Sequence, residues 1–196
     1  FEREVAALLS IADLPGVPQI FDYGRDAAGR LCIVTEYVAG QTLDDYVKDQ
    51  GALAVPVVLD LLRGLLLLLG QVHARGLVHM DIQASNIILS AGHFHLLDWG
   101  VSESDATGVL GSIRAKQGFA SHVAPECYLG RCGPASDFYS LAWLVVFLLT
   151  GSKPYHFDEE ADKDYRVVAH CLERPDLPDE LTSLTGNGAM LVSLVY

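Results

Sequence analysis

A chain of 196 residues, 51% of them apolar, is long enough for one sizeable core and carries none of the bias that marks disorder. Its formal charge of -12 and pI near 4.8 exclude a basic stripe for a nucleic-acid backbone, and its lysines are Lys48, Lys116, Lys153 and Lys163 alone. The cysteines, Cys32, Cys127, Cys132 and Cys171, form no CxxC pairs, which argues against a disulfide framework and for a reducing, cytoplasmic setting.

Taken in order, Glu2 to Ser10 sets Val5, Leu8, Leu9 and Ala12 at helical spacing, and Pro15-Gly16 ends that helix. Val17 to Tyr23 and Leu31 to Tyr37 are rich in β-branched and aromatic residues and flank a turn, as in a hairpin. Helical periodicity returns after Gly40. Pro56 suits the first turn of a helix that runs through a leucine-rich stretch to Arg75 and stops at Gly76. Ile87 to Leu89 and His93 to Leu97, joined by Ser90-Ala91-Gly92, predict a second hairpin. Ser102 to Asp137 is expected to be a long polar loop, and Ser136 to Thr150 a strongly apolar helix.

The apolar runs Val57 to Leu69 and Leu141 to Leu149 fall short of the ~18 to 20 uninterrupted apolar residues of a membrane span and are expected to be buried helices. His122, Cys127 and Cys132 leave a metal site short of ligands. The opening on Phe1, without a leader pattern, suggests a piece of a longer protein with other domains.

Phosphoryl transfer needs a carboxylate to orient the attacking hydroxyl and oxygen ligands for magnesium on the ATP phosphates. His79-Met80-Asp81 is followed by Asn86, and the second hairpin then doubles back to Asp98-Trp99-Gly100, which sets Asp98 beside Asn86. These residues resemble the H-R-D-x-x-x-x-N and D-F-G motifs of the protein kinase family. Ala124-Pro125-Glu126, Asp137-Phe138-Tyr139-Ser140 and Thr150-Gly151 to Pro154-Tyr155 resemble three later family motifs in the same order. Upstream, Phe1-Glu2-Arg3-Glu4 looks like the start of the family's helix αC, and Ile33 to Val38 like the strand entering the adenine-binding hinge.

The resemblance implies an α+β, protein-kinase-like fold: residues 1–38 a partial N-lobe from αC to the hinge, and residues 39–196 a mostly helical C-lobe with incomplete terminal helices. It implies ATP and magnesium as cofactors. Asp81 would orient the acceptor hydroxyl, with Gln83 and Asn86 beside it, and Asn86 and Asp98 would hold magnesium. Glu4 would pair with a lysine, Thr35 would be the gatekeeper, and Glu36 to Val38 would supply hinge backbone. The implied activity is transfer to a serine or threonine of a protein substrate.

The sequence departs from the family in several places. No G-x-G-x-x-G occurs, and the family's strand lysine would precede Phe1, so these residues alone are expected to bind ATP poorly. Met80 replaces the catalytic-loop arginine, and Gln83 the lysine two residues after the aspartate. Loss of such a charge typically costs about a hundredfold in rate. Phe119, after Gly118, replaces the threonine that supports that lysine and aspartate. No arginine follows Arg174 to pair with Glu126 as the family arranges. The rival readings are a pseudokinase that signals by binding a partner and a small-molecule phosphotransferase of the aminoglycoside kind. The second leaves Ala124-Pro125-Glu126 and the Asp137 helix unexplained. His73 and His79 are expected to be packed or supporting residues, and Ser102, Ser104, Thr107 and Ser112 are potential phosphorylation sites.

Overall fold

The computed structural model describes residues 1–90, 92–99, 103–104, 122–128 and 131–152. Expectations that fall on Gly100, Ser102, Thr107, Ser112, Phe119, Lys153 to Tyr155 and the chain beyond lie outside the described residues.

The first helix, α1, spans Glu2–Ile11 and buries Val5 and Leu8 as expected, but its buried face runs on through Ala7 and Ile11, while Leu9 is exposed and Ala12 half-buried. Strands β1 (Ile20–Arg25) and β2 (Leu31–Thr35) form the expected antiparallel hairpin, with Ile20 opposite Thr35 and Arg25 opposite Leu31. Ile20 and Ile33 pack on the core, while Phe21, Tyr23, Leu31 and Val34 face out. Residues 36–40 then cross to the larger part of the molecule without regular structure.

Strand β3 (Gln41–Thr42) leads into α2 (Leu43–Gln50), whose N-terminus is capped where the Thr42 hydroxyl accepts the Asp45 N–H at 3.1 Å. Helix α3 spans Val55–Ala74, with Pro56 in its first turn as expected. It buries Val58, Leu61, Leu65, Leu68, Leu69 and Val72, each contributing on the order of 1.5–3 kcal/mol of apolar burial. By length and composition α3 could cross a membrane, a test that core helices of soluble proteins also pass. Those six side chains join the core that also takes Leu141, Leu144, Val145 and Leu148 from the apolar helix near the end of the described chain.

Strand β4 (Leu77–Val78) follows, then a 3-10 turn at Ala84–Asn86 and the second hairpin, β5 (Ile87–Ser90) with β6 (His93–Leu96). Strand β3 pairs on the outer edge of β5, giving the order β3-β5-β6. The Phe94 ring of β6 lies over Gly64 of α3, where an added Cβ would sit 2.4 Å from the ring, so only glycine lets hairpin and helix approach so closely.

The expectation of one long polar loop from Ser102 to Asp137 is corrected in three places among the described residues. Strand β7 (Glu103–Ser104) pairs with β4, helix α4 spans Pro125–Tyr128, and the apolar helix α5 (Pro134–Thr150) begins two residues before Ser136. Two-residue strands and a one-turn helix are too short to leave a periodic signal. The start of α5 was masked by polar first-turn residues, of which Ser136 accepts the Gly133 N–H at 3.2 Å.

Candidate active site

The loop from His79 to Gln83 is shaped by one buried carboxylate. Met80 has φ +67°, a left-handed conformation uncommon outside glycine, asparagine and aspartate. Asp137 of α5, 0% exposed, accepts the Met80 N–H at 2.7 Å and the His79 N–H at 2.9 Å. His73, at the end of α3, donates its Nε2–H to the same carboxylate at 2.8 Å. One side chain of α5 thus ties α3 to the strained turn and compensates its backbone donors.

His79 is itself fully buried. Its Nδ1 accepts the Asp81 N–H at 3.2 Å, so Nε2 carries the hydrogen and donates to the Leu97 carbonyl at 3.0 Å. Trp99 packs against the imidazole with ring centroids 4.5 Å apart and donates its indole N–H to Leu96. Burial pushes the His79 pKa down, against the nearby charges of Asp137 and Asp81. His73 and His79 are therefore supporting residues, as expected.

Asp81, 2% exposed, is the convergence point of the loop. Gln83 Nε2 donates to its Oδ1 at 2.8 Å, and Asn86 Nδ2 donates to Oδ2 at 2.8 Å and to the Asp81 carbonyl at 3.0 Å. His122 Nε2 lies 3.0 Å from Oδ1. Burial pushes the Asp81 carboxyl up, but the His122 hydrogen bond and charge, with the Asn86 and Gln83 donors, leave it below the usual carboxylate range. Asp81 is therefore an ionised acceptor at neutral pH. The expected cluster of Asp81, Gln83 and Asn86 is assembled, and His122 joins it. Sequence reasoning considered His122 only as a metal ligand; its place two residues before Ala124-Pro125-Glu126 was the available signal. Among the described residues no group of three metal-binding side chains of the His, Cys, Asp and Glu types occurs.

The β5–β6 hairpin carries the chain back to this loop. Ile87 pairs with Leu96, and the Leu97 N–H donates to the Asn86 carbonyl at 2.7 Å, so Asp98 follows directly beside Asn86 in the backbone. Asp98 is exposed and has φ +58°, the second non-glycine residue in the left-handed region. Downstream, β7 returns along β4, pairing Val78 with Glu103.

Asp98 also lines a cavity of about 350 Å³ between α1, residues 35–38 and the end of the second hairpin. Glu4, Thr35, Glu36 and Val38 line the same cavity, with Leu8, Ile88 and Trp99 as its apolar floor. The Glu36 N–H donates to the Gln19 carbonyl at 2.7 Å, and its carboxylate accepts the Gln19 N–H at 3.3 Å, pinning the crossing segment to the start of β1. A larger groove of about 930 Å³, lined by Asp13, Asp60, Phe94 and His95 among others, contains none of Asp81, Gln83, Asn86 or Asp98.

Glu126, expected to lack its usual arginine, accepts the Ser136 hydroxyl at 2.7 Å instead. This joins α4 to the first turn of α5.

A left-handed aspartate at the mouth of a cavity thus stands beside a buried aspartate–asparagine loop hung from a helix. Residues 1–184 match the family model described as Protein kinase domain, and the chain belongs to the protein kinase family. It is 34% identical over 185 residues to the probable serine/threonine-protein kinase PkwA of Thermomonospora curvata, covering 94% of this chain and 25% of that protein. It is 31% identical over 193 residues to the serine/threonine-protein kinase PknA of Mycobacterium tuberculosis, covering 93% of this chain and 44% of that protein. With the probable serine/threonine-protein kinase PknB of Bifidobacterium longum it shares 30% over 187 residues, 89% of this chain and 27% of the relative. The chain thus spans between a quarter and under half the length of these relatives. The α+β, kinase-like architecture agrees with this membership.

Proposed function

We propose that this chain supplies most of a catalytic domain that transfers the γ-phosphoryl group of ATP, with magnesium, to a serine or threonine hydroxyl of a protein substrate. Residues 1–38 are the later part of its N-lobe and residues 39–196 its C-lobe. The observation that carries the reading is the shared cavity of Glu4, Thr35, Glu36, Val38 and Asp98, which opens beside the Asp81–Asn86 loop.

In this reading Asp81 accepts a hydrogen bond from the substrate hydroxyl and aims its oxygen at the phosphorus. Its ionised state and three side-chain donors suit that task. Asn86 and Asp98 offer an amide oxygen and a carboxylate, the hard donors that magnesium takes. Asn86 directs its amide nitrogen to Asp81, which leaves its amide oxygen for a cation. Thr35, at the end of β2, would be the gatekeeper, and Glu36 to Val38 would supply the hinge backbone for the base; all of them line the cavity. Glu4 of α1 is available to a lysine in the wall that completes the phosphate site. ATP supplies the phosphoryl group and magnesium neutralises its charge. A cytoplasmic setting and further domains in the complete protein accompany this reading.

A second reading, a pseudokinase that acts by contact, is favoured by one observation. Gln83, an uncharged amide, occupies the Asp81 carboxylate at 2.8 Å where the family places a lysine. The test is magnesium-dependent ATP binding and then γ-phosphate transfer by the complete protein beside an Asp98→Asn variant. Binding with transfer that the variant loses supports the enzyme. Binding without transfer supports the contact-signalling reading.

A further inference from the structure

The Asp81 cluster contains a residue that the family pattern does not call for. His122 lies just before α4, and its Nε2 stands 3.0 Å from Asp81 Oδ1, next to the Gln83 amide at 2.8 Å on the same oxygen. An ionised carboxylate only accepts hydrogen bonds, so the His122 Nε2 bears a hydrogen and donates it. Among the described residues, His122 is the one side chain on Asp81 that can carry positive charge.

His122 is also held from behind. Ser140 of α5 donates its hydroxyl to the His122 carbonyl at 2.6 Å. Three residues earlier on the same helix, Asp137 holds the His79 and Met80 amides. Helix α5 therefore grips the catalytic loop twice: through Asp137 on its backbone, and through Ser140 and His122 on the Asp81 carboxylate. The flanking residues support a fixed ring, since Val123 and Ala124 are 2% and 1% exposed.

We infer that His122 is a positioning residue for Asp81, and that together with Gln83 it takes over the support that a lysine and a threonine give the aspartate elsewhere in the family. This rests on the kinase reading above. Gln83 supplies a neutral donor to Oδ1 and His122 a second donor able to carry charge. With Asn86 on Oδ2, the carboxylate is fixed in rotation, with an acceptor site on Oδ2 left for the substrate hydroxyl. The sequence change at Gln83 is thereby compensated in space by a residue 39 positions further along the chain.

The test compares the complete wild-type protein with His122→Leu, which removes the donor, and His122→Gln, which keeps an N–H near the Nε2 position. The readouts are the dissociation constant for ATP with magnesium, and kcat and KM for transfer from γ-labelled ATP to a degenerate serine/threonine peptide library. His122→Leu should lower kcat about ten- to a hundredfold, with ATP affinity and peptide KM unchanged within about twofold. His122→Gln should recover most of the loss, and Gln83→Lys added to His122→Leu should recover part of it. Should His122→Leu fail to fold, His122→Asn, which shortens the donor's reach, replaces it with the same expected fall in kcat. Wild-type kcat in the donor-less variant overturns the inference while leaving the kinase reading intact. A fall in ATP affinity equal to the fall in kcat also overturns it, because the residue would then support the fold of the whole site. A wild-type protein that binds ATP but transfers nothing fails the kinase reading itself, and the positioning role falls with it.

Discussion

Asp81 is 2% exposed and receives three side-chain donors among the described residues, whereas Asp98, two residues past the strand that returns beside the same loop, is exposed at a cavity that Thr35 and Tyr37, also exposed, line as well. The difference follows from what each region packs against. The loop hangs from α5, a helix with nine buried residues, so its polar groups must be paired with protein. The cavity faces a hairpin whose outward side chains Phe21, Tyr23, Leu31 and Val34 are open to solvent. On the proposed reading, the loop is the half of the site preset by the core and the cavity is the half open to solvent.

The sharpest way to break the preset half is Asp137→Ala. It strips the acceptor from the Met80 and His79 amides and from His73 in a fully buried place, and should cost about 3 to 5 kcal/mol in denaturant unfolding. Transfer activity should disappear with it. If stability instead falls by less than about 1 kcal/mol, the loop is not hung from α5.

The cavity half can be broken more gently at Gly40, the last residue of the crossing segment. A Cβ there would stand 2.3 Å from the Leu89 carbonyl oxygen, so Gly40→Ala must push the crossing segment off β5. The expected cost is about 1 to 3 kcal/mol, with weaker ATP binding by calorimetry. Asp81 geometry, read as residual kcat at saturating ATP, should change less than affinity.

Acid sharpens the contrast further. The folded state depresses the His79 pKa, chiefly by burial, so the unfolded chain takes up that proton first as pH falls. The stability tied to neutral His79 is fully present above an ordinary imidazole pKa of about 6.5 and is lost as pH falls through the lower folded value. Asp81, also depressed, holds its share above the ordinary carboxylate value of 3.8 and loses it below. Unfolding free energy measured from pH 8 down should therefore decline in two steps, and His79→Asn should remove the upper one.

The smallest effect is expected at the surface. Arg75, just past α3, forms a two-pronged pair with Asp13, 2.7 Å in its second limb, and holds the Asp13 carboxyl down to about 2. Both groups are solvated, so Asp13→Asn should shift the denaturation midpoint less than any change above. The shift should vanish in about 0.5 M salt.

The sequence made both hairpins, the three long helices and the Asp81–Asn86–Asp98 spacing legible, because periodicity and turn chemistry are local. The same reasoning missed β3, β4, β7 and α4, whose two to four residues carry no period and form only against partners already in place. It also treated Gln83 as a lost charge and Glu126 as a lost ion pair. In space His122 stands beside Gln83 on Asp81, and Ser136 meets Glu126.

By itself, then, the sequence determined that an aspartate and an asparagine five residues apart precede a hairpin returning a second aspartate, and that leucine-rich helices would bury around them. Side-chain period and strand reversal are properties of neighbours along the chain. The tertiary structure alone decided that Asp137 would carry the strained Met80 turn, that Ser140 would brace His122, and that His122 would meet Asp81. These contacts join residues 18 to 57 positions apart, and their partners are chosen by the packing of α5 rather than by any local pattern.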